Sequence, residues 1–85
     1  MTTYKIKVLT PQGPAYSGEA VHCLVPFEVG FVGILANHAP YVISSPGGRF
    51  EVRETGGTEK KFMVGPGFFE VTHNQATFLT QSFSA

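Results

Sequence analysis

No part of this chain repeats with the 3.6-residue period of a helix. Short runs that alternate apolar and polar residues recur instead at about 8–12 residue intervals, each closed by Gly, Pro or Asn. Successive side chains of a strand point to opposite faces, so such runs bury one face and wet the other. The pattern predicts an all-β fold, a flattened antiparallel sandwich or barrel of about eight to ten short strands with little or no helix. Eighty-five residues make one domain, residues 1–85, with no linker, internal repeat or low-complexity tract.

The strands follow in order. Tyr4, Ile6 and Val8 share one face of the first run while Lys5 and Lys7 share the other, and the lysines protect it as an edge. The turn cluster Pro11-Gln12-Gly13-Pro14 leads into a run from Tyr16 to Val25. There Val21, Cys23 and Val25 alternate with Ala20, His22 and Leu24, and Pro26 is expected to end the strand. Tyr41-Val42-Ile43-Ser44 is closed by Pro46-Gly47-Gly48. Arg49 to Glu54 alternates strictly, with Phe50 and Val52 inward and four charges outward. Thr55-Gly56-Gly57-Thr58 marks a hairpin back to Lys61-Phe62-Met63-Val64. Gly65-Pro66-Gly67 turns the chain again, and Phe68 to Thr72 pairs through His73-Asn74 with Ala76 to Thr80. Residues 81–85 carry no pattern of their own.

The segment organising the rest is Gly30 to Pro40, a glycine-punctuated apolar strand followed by a turn. Gly30 and Gly33 are expected at φ > 0, Asn37 tolerates the same region, and Pro40 starts a new extended segment. Just before it, Phe27, Val29 and Phe31 alternate. As core these are ordinary; at a loop tip they would form an exposed apolar patch of the kind that binds. Phe27 reads as core and Phe31 as interface.

Charged residues are 14% of the chain, against about 25% in an ordinary domain. Part of the surface is therefore covered by a partner, or the domain is simply rich in core. A chain this short buries only about 60–65% of its unfolded surface, which leaves a thin stability margin. Net charge is zero, a poor footprint for nucleic acid or an anionic membrane. No apolar run approaches the roughly 18 residues of a membrane helix, and no signal peptide pattern opens the chain. The single cysteine excludes an internal disulfide and is consistent with a cytoplasmic location.

Chemistry is scarce. The acidic residues are all Glu, and Glu51 alternates outward between Arg49 and Arg53, as a solvated or paired charge does. His22 and Cys23 are neighbours on a strand, so they face apart and cannot chelate together. Cys23 alternates with Val21 and Val25, the placement of a buried thiol rather than a nucleophile. No glycine motif has phosphate-loop spacing. No catalytic residue, cofactor or metal is expected. A rival reading is a free-standing metal- or ligand-binding β-barrel in which His22, His38 and His73 meet in space; a third is a generic β-sandwich adaptor.

The segment Gly30, Gly33, Ile34, Leu35, His38, Ala39 and Pro40 resembles the signature of the epsilon subunit of F-type ATP synthases. Pro46-Gly47, Gly67-Phe68-Phe69-Glu70-Val71, Asn74 and Thr77-Phe78-Leu79 extend the resemblance in order, from Tyr4 to Leu79. Two places depart from the pattern. Ala36-Asn37 replaces Pro-Gly, and Phe31 stands where the family usually has an acid. The resemblance implies the family's N-terminal β-sandwich, without its C-terminal helical hairpin, whether as a short natural form or a trimmed piece. Inhibitory insertion of that hairpin into the catalytic head should then be absent or weak. It also implies a non-catalytic central-stalk subunit that couples c-ring rotation to the gamma subunit in a proton-translocating enzyme making ATP from ADP and phosphate. His38, Ala39 and Pro40 would face gamma, and Gly30, Phe31 and Val32 would face the c-ring. The location implied is peripheral, on the cytoplasmic face of a bacterial inner membrane or its organellar equivalent.

Overall fold

The computed structural model describes residues 2–36 and 40–85. Among the described residues nine strands follow one another: β1 (Tyr4–Thr10), β2 (Gly13–Phe27), β3 (Gly30–Leu35), β4 (Tyr41–Ser45), β5 (Gly48–Glu54), β6 (Glu59–Val64), β7 (Gly67–Thr72), β8 (Gln75–Thr80) and β9 (Phe83–Ser84). They form two layers that share the long strand β2. One layer runs β4-β7-β8-β1 onto the first half of β2; the other runs from the second half of β2 to β5, β6 and β9, with β3 also on β2. The sheet does not close into a barrel.

The expected all-β sandwich is present, and the strict alternation of β5 sets its geometry. Phe50 and Val52 are buried, while Arg49 and Arg53 stay in solvent. Arg49 pairs with Glu51 at 2.9 Å and Arg53 with Glu59 at 2.7 Å. The β5–β6 turn has Gly56 and Gly57 at φ of 93° and 91°, as a tight glycine hairpin requires. His73 and Asn74 take φ of 49° and 56° in the β7–β8 turn. Between the layers, Phe50 meets Phe78 edge-on at 5.2 Å and also approaches Phe62 and Phe69 at 6.5 and 6.4 Å. Phe50 is thus a ring that joins both layers.

Six local expectations are revised. β1 is not the edge that Lys5 and Lys7 suggest, because it lies between β8 and β2. Pro26 does not end β2, which runs on to Phe27 with Pro26 opposite Phe31. The ladder to β5 stops at Leu24, so Pro26 has one strand neighbour and its missing N–H costs no ladder bond there. The faces of β2 switch at a bulge between Ala20 and His22, so Ala20 is buried together with Cys23 and Val25. Gly30 has φ of 130°, but Gly33 is not at positive φ. Gly33 instead makes room: a Cβ there would lie 3.1 Å from His22 Nε2. The chain end is not patternless, because Phe83 and Ser84 pair with Val64 and Met63, and the Phe83 ring lies 4.8 Å from Phe62. Finally, β1 and β8 are parallel, whereas every other ladder is antiparallel among the described residues.

Candidate functional site

Buried polar chemistry is structural. The Tyr4 hydroxyl donates to the Ile34 carbonyl at 2.7 Å, linking β1 to β3 inside the core. Burial raises the Tyr4 hydroxyl far above its usual range, with the neighbouring Cys23 adding to the effect. Burial also pushes the Cys23 thiol up to about 12. An inaccessible thiol held protonated is no nucleophile. Folded protein is expected to resist iodoacetamide at pH 8, and protein in concentrated urea to react fully, by mass spectrometry. Because the Cys23 value is raised on folding, its contribution is whole below its ordinary 9 and drains away as pH climbs toward about 12. Stability should therefore fall with rising alkalinity in that window.

Tyr16, Glu54 and Lys60 form a second cluster. The Tyr16 hydroxyl donates to Glu54 Oε2, and Lys60 Nζ lies 3.5 Å from the same oxygen and 5.7 Å from the Tyr16 ring centre. Burial, then the bond to Glu54, raises the Tyr16 hydroxyl. The three side chains tie the first half of β2 to β5 and β6 and leave no reactive group unpaired.

The two described histidines, His22 and His73, do not assemble. His22 lines a small depression with Leu24, Glu51, Arg53 and Glu59, whereas His73 lines another with Tyr4, Lys5 and Glu19. His38 lies outside the described residues, as do Asn37 and Ala39. Among the described residues no group of three His, Cys, Asp or Glu side chains could hold a metal ion.

Surfaces remain, and two are apolar. The first is the β2–β3 tip. Val29 is 91% exposed and Phe31 49%, while Val32 and Phe27 pack partly against the core. Gly30 makes the turn and is itself exposed. Phe27 therefore points inward and Phe31 outward.

Sequence reasoning missed the second surface. Ser44, Phe68, Leu79 and Leu9 stand opposite one another across β4, β7, β8 and β1. Phe68 and Leu79 are half exposed, and with Leu9, Pro11, Ser45 and Pro66 they line an open groove of about 530 Å³. The signal was in the doublets Phe68-Phe69 and Phe78-Leu79. Neighbours on a strand face apart, so one apolar residue of each doublet must point outward. Pro40 is exposed and leads directly into β4, the edge strand of this same sheet.

No helix among the described residues is long and apolar enough to cross a membrane.

Comparison with known proteins fits this architecture. Residues 3–85 match the family model "ATP synthase, Delta/Epsilon chain, beta-sandwich domain". The chain is 32% identical over 78 residues to the ATP synthase epsilon chain of Dichelobacter nodosus, covering 92% of this chain and 54% of that protein. It is 32% identical over 81 residues to the epsilon chain of Chlorobium limicola, covering 95% and 92% respectively. For the epsilon chain of Bacillus pumilus the identity is 37% over 82 residues, covering 96% and 62%. The chain thus spans little more than half the length of some of the curated relatives it matches and nearly the whole of another. The fold superposes on a chain of the Euglena gracilis mitochondrial ATP synthase OSCP/F1/c-ring structure with a TM-score of 0.90 at 17% identity, covering 99% of this chain and 54% of that one. A chain of the Tetrahymena thermophila mitochondrial ATP synthase central stalk and c-ring gives 0.78 at 13% identity, covering 94% and 64%. A nine-strand open sandwich whose sequence matches along almost its full length belongs to the delta/epsilon β-sandwich family of ATP synthases.

Proposed function

We propose that this chain is the epsilon subunit, or its β-sandwich part, in the central stalk of a proton-translocating F-type ATP synthase. It catalyses nothing itself. It sits between the gamma subunit and the c-ring so that ring rotation turns gamma, and ATP forms elsewhere in the complex. The observation carrying this reading is the match of residues 3–85 to the family, with relatives named ATP synthase epsilon chain. The location follows from the complex: peripheral, on the cytoplasmic face of a bacterial inner membrane or its organellar equivalent.

The two apolar surfaces fit two partners. His38, Ala39 and Pro40 are assigned to the gamma side, and the groove at Phe68 and Leu79 extends that side through β4. Gly30, Phe31 and Val32 are assigned to the ring side, at the far end of β2. With Phe31 in place of an acid, that contact is apolar rather than charge-assisted.

The test is size-exclusion chromatography with the cognate gamma subunit. A one-to-one complex is expected. Phe68→Asp should weaken it about tenfold or more, the effect of losing an apolar anchor of a few kcal/mol, with an unchanged circular dichroism spectrum. No complex with gamma would overturn the reading.

A further inference from the structure

We propose that the open edge of β3 is a pairing site for a second copy of this chain. Among the described residues β3 has one ladder, to β2, so one edge of Gly30–Leu35 is without a strand neighbour. Half the backbone N–H and C=O groups of an edge strand point away from its single neighbour, and an extended strand satisfies them best. Natural edges are blunted with lysine, proline or a covering element. β6 has such protection, with Glu59, Lys60 and Lys61 in the strand and β9 over Met63 and Val64. β3 has neither charge nor proline. Indeed Glu28 is the single Asp, Glu, Lys or Arg between Val21 and Gly48. Two copies meeting here bring no basic or acidic side chains of β3 together.

The strand is also complementary to itself. Phe31, Gly33 and Leu35 are exposed on the outer face, while Ile34 is buried and Val32 half-buried on the inner one. An antiparallel two-fold pairing centred on Gly33 sets Phe31 opposite Leu35 of the second copy, and Val32 opposite Ile34 of the second copy. Each face then continues unbroken across the axis, as directly opposed residues in a sheet require. The contact is isologous and closes at two copies. Six residues a side bury only several hundred Å², under the roughly 1,200 Å² of a standard interface, so the pair is weak and forms at high concentration. Resting on the function proposed above, pairing also covers Phe31 and so excludes docking on the ring.

Sedimentation velocity on the intact chain tests this without gamma or ring, so its result is independent of the central-stalk reading. Between about 10 µM and 1 mM the average mass should rise from 9.2 kDa toward twice that, equally at low and high salt. Leu35→Lys should stay monomeric throughout, and Phe68→Lys, on the other sheet, should associate like the parent. A chain that stays monomeric at the highest concentration overturns the proposal. So does association that survives Leu35→Lys, or that is abolished by Phe68→Lys, which would place the contact on the groove instead.

Discussion

Phe50→Ala is expected to cost about 3–5 kcal/mol, the penalty for emptying an aromatic site in a packed core. A chain of this length has about 0.05–0.15 kcal/mol of stability per residue, so the loss consumes a large share of the total. The site cannot collapse easily. Phe50 is fully buried and touches Phe62 in its own layer and Phe69 and Phe78 in the other. Removing it separates the layers where they meet. Urea unfolding followed by circular dichroism should show a much lower midpoint, or no cooperative transition. Phe68→Ala serves as the contrast, because Phe68 is exposed and its change should stay within about 0.5 kcal/mol. Equal losses at the two positions would mean that the core is not organised around Phe50.

Gly67→Ala should be nearly as damaging for an unrelated reason. Gly67 opens β7 opposite Thr80, and a Cβ there would collide with the Leu79 carbonyl oxygen and lie 2.9 Å from Thr80 Cα. Those are backbone atoms of the adjoining strand, so nothing short of displacing β8 relieves the clash. The expected cost is about 3 kcal/mol or more, with overpacking as the named mechanism. At roughly 4–8 °C per kcal/mol for a domain of this size, the melting temperature should drop by more than about 12 °C. Gly57→Ala is the control. Its Cβ would meet open space, and only the φ of 91° opposes it, for about 1–2 kcal/mol. If Gly57→Ala proved the worse of the two, the close approach at β7 would not be the constraint described.

The sequence shows best what is local. The alternation of Arg49–Glu54, the Gly56-Gly57 turn and the His73-Asn74 turn each depend on a few neighbouring residues, and each is found where it reads. Long-range features were not legible. Nothing in residues 5–9 or 75–79 announces that they lie side by side and parallel. Phe83 and Ser84 become a strand only because β6 has an edge to receive them. The bulge after Ala20 reverses the faces of β2 without a glycine or proline to mark it. The candidate surfaces divide the same way. Phe31 was visible as a departure from a family pattern, whereas the groove at Phe68 and Leu79 needs four strands brought into register. His38 and Ala39 remain sequence assignments, outside the described residues.

The β1–β8 pairing carries a consequence for biosynthesis. Until Gln75–Thr80 leaves the ribosome, β1 can pair with β2 alone, and its other flank lies open. Contacts spanning nearly the whole chain are slow to form, because the intervening loop must be ordered first. The nascent chain should therefore stay susceptible to protease until β8 has emerged, and then become resistant as β8 slots in beside β1.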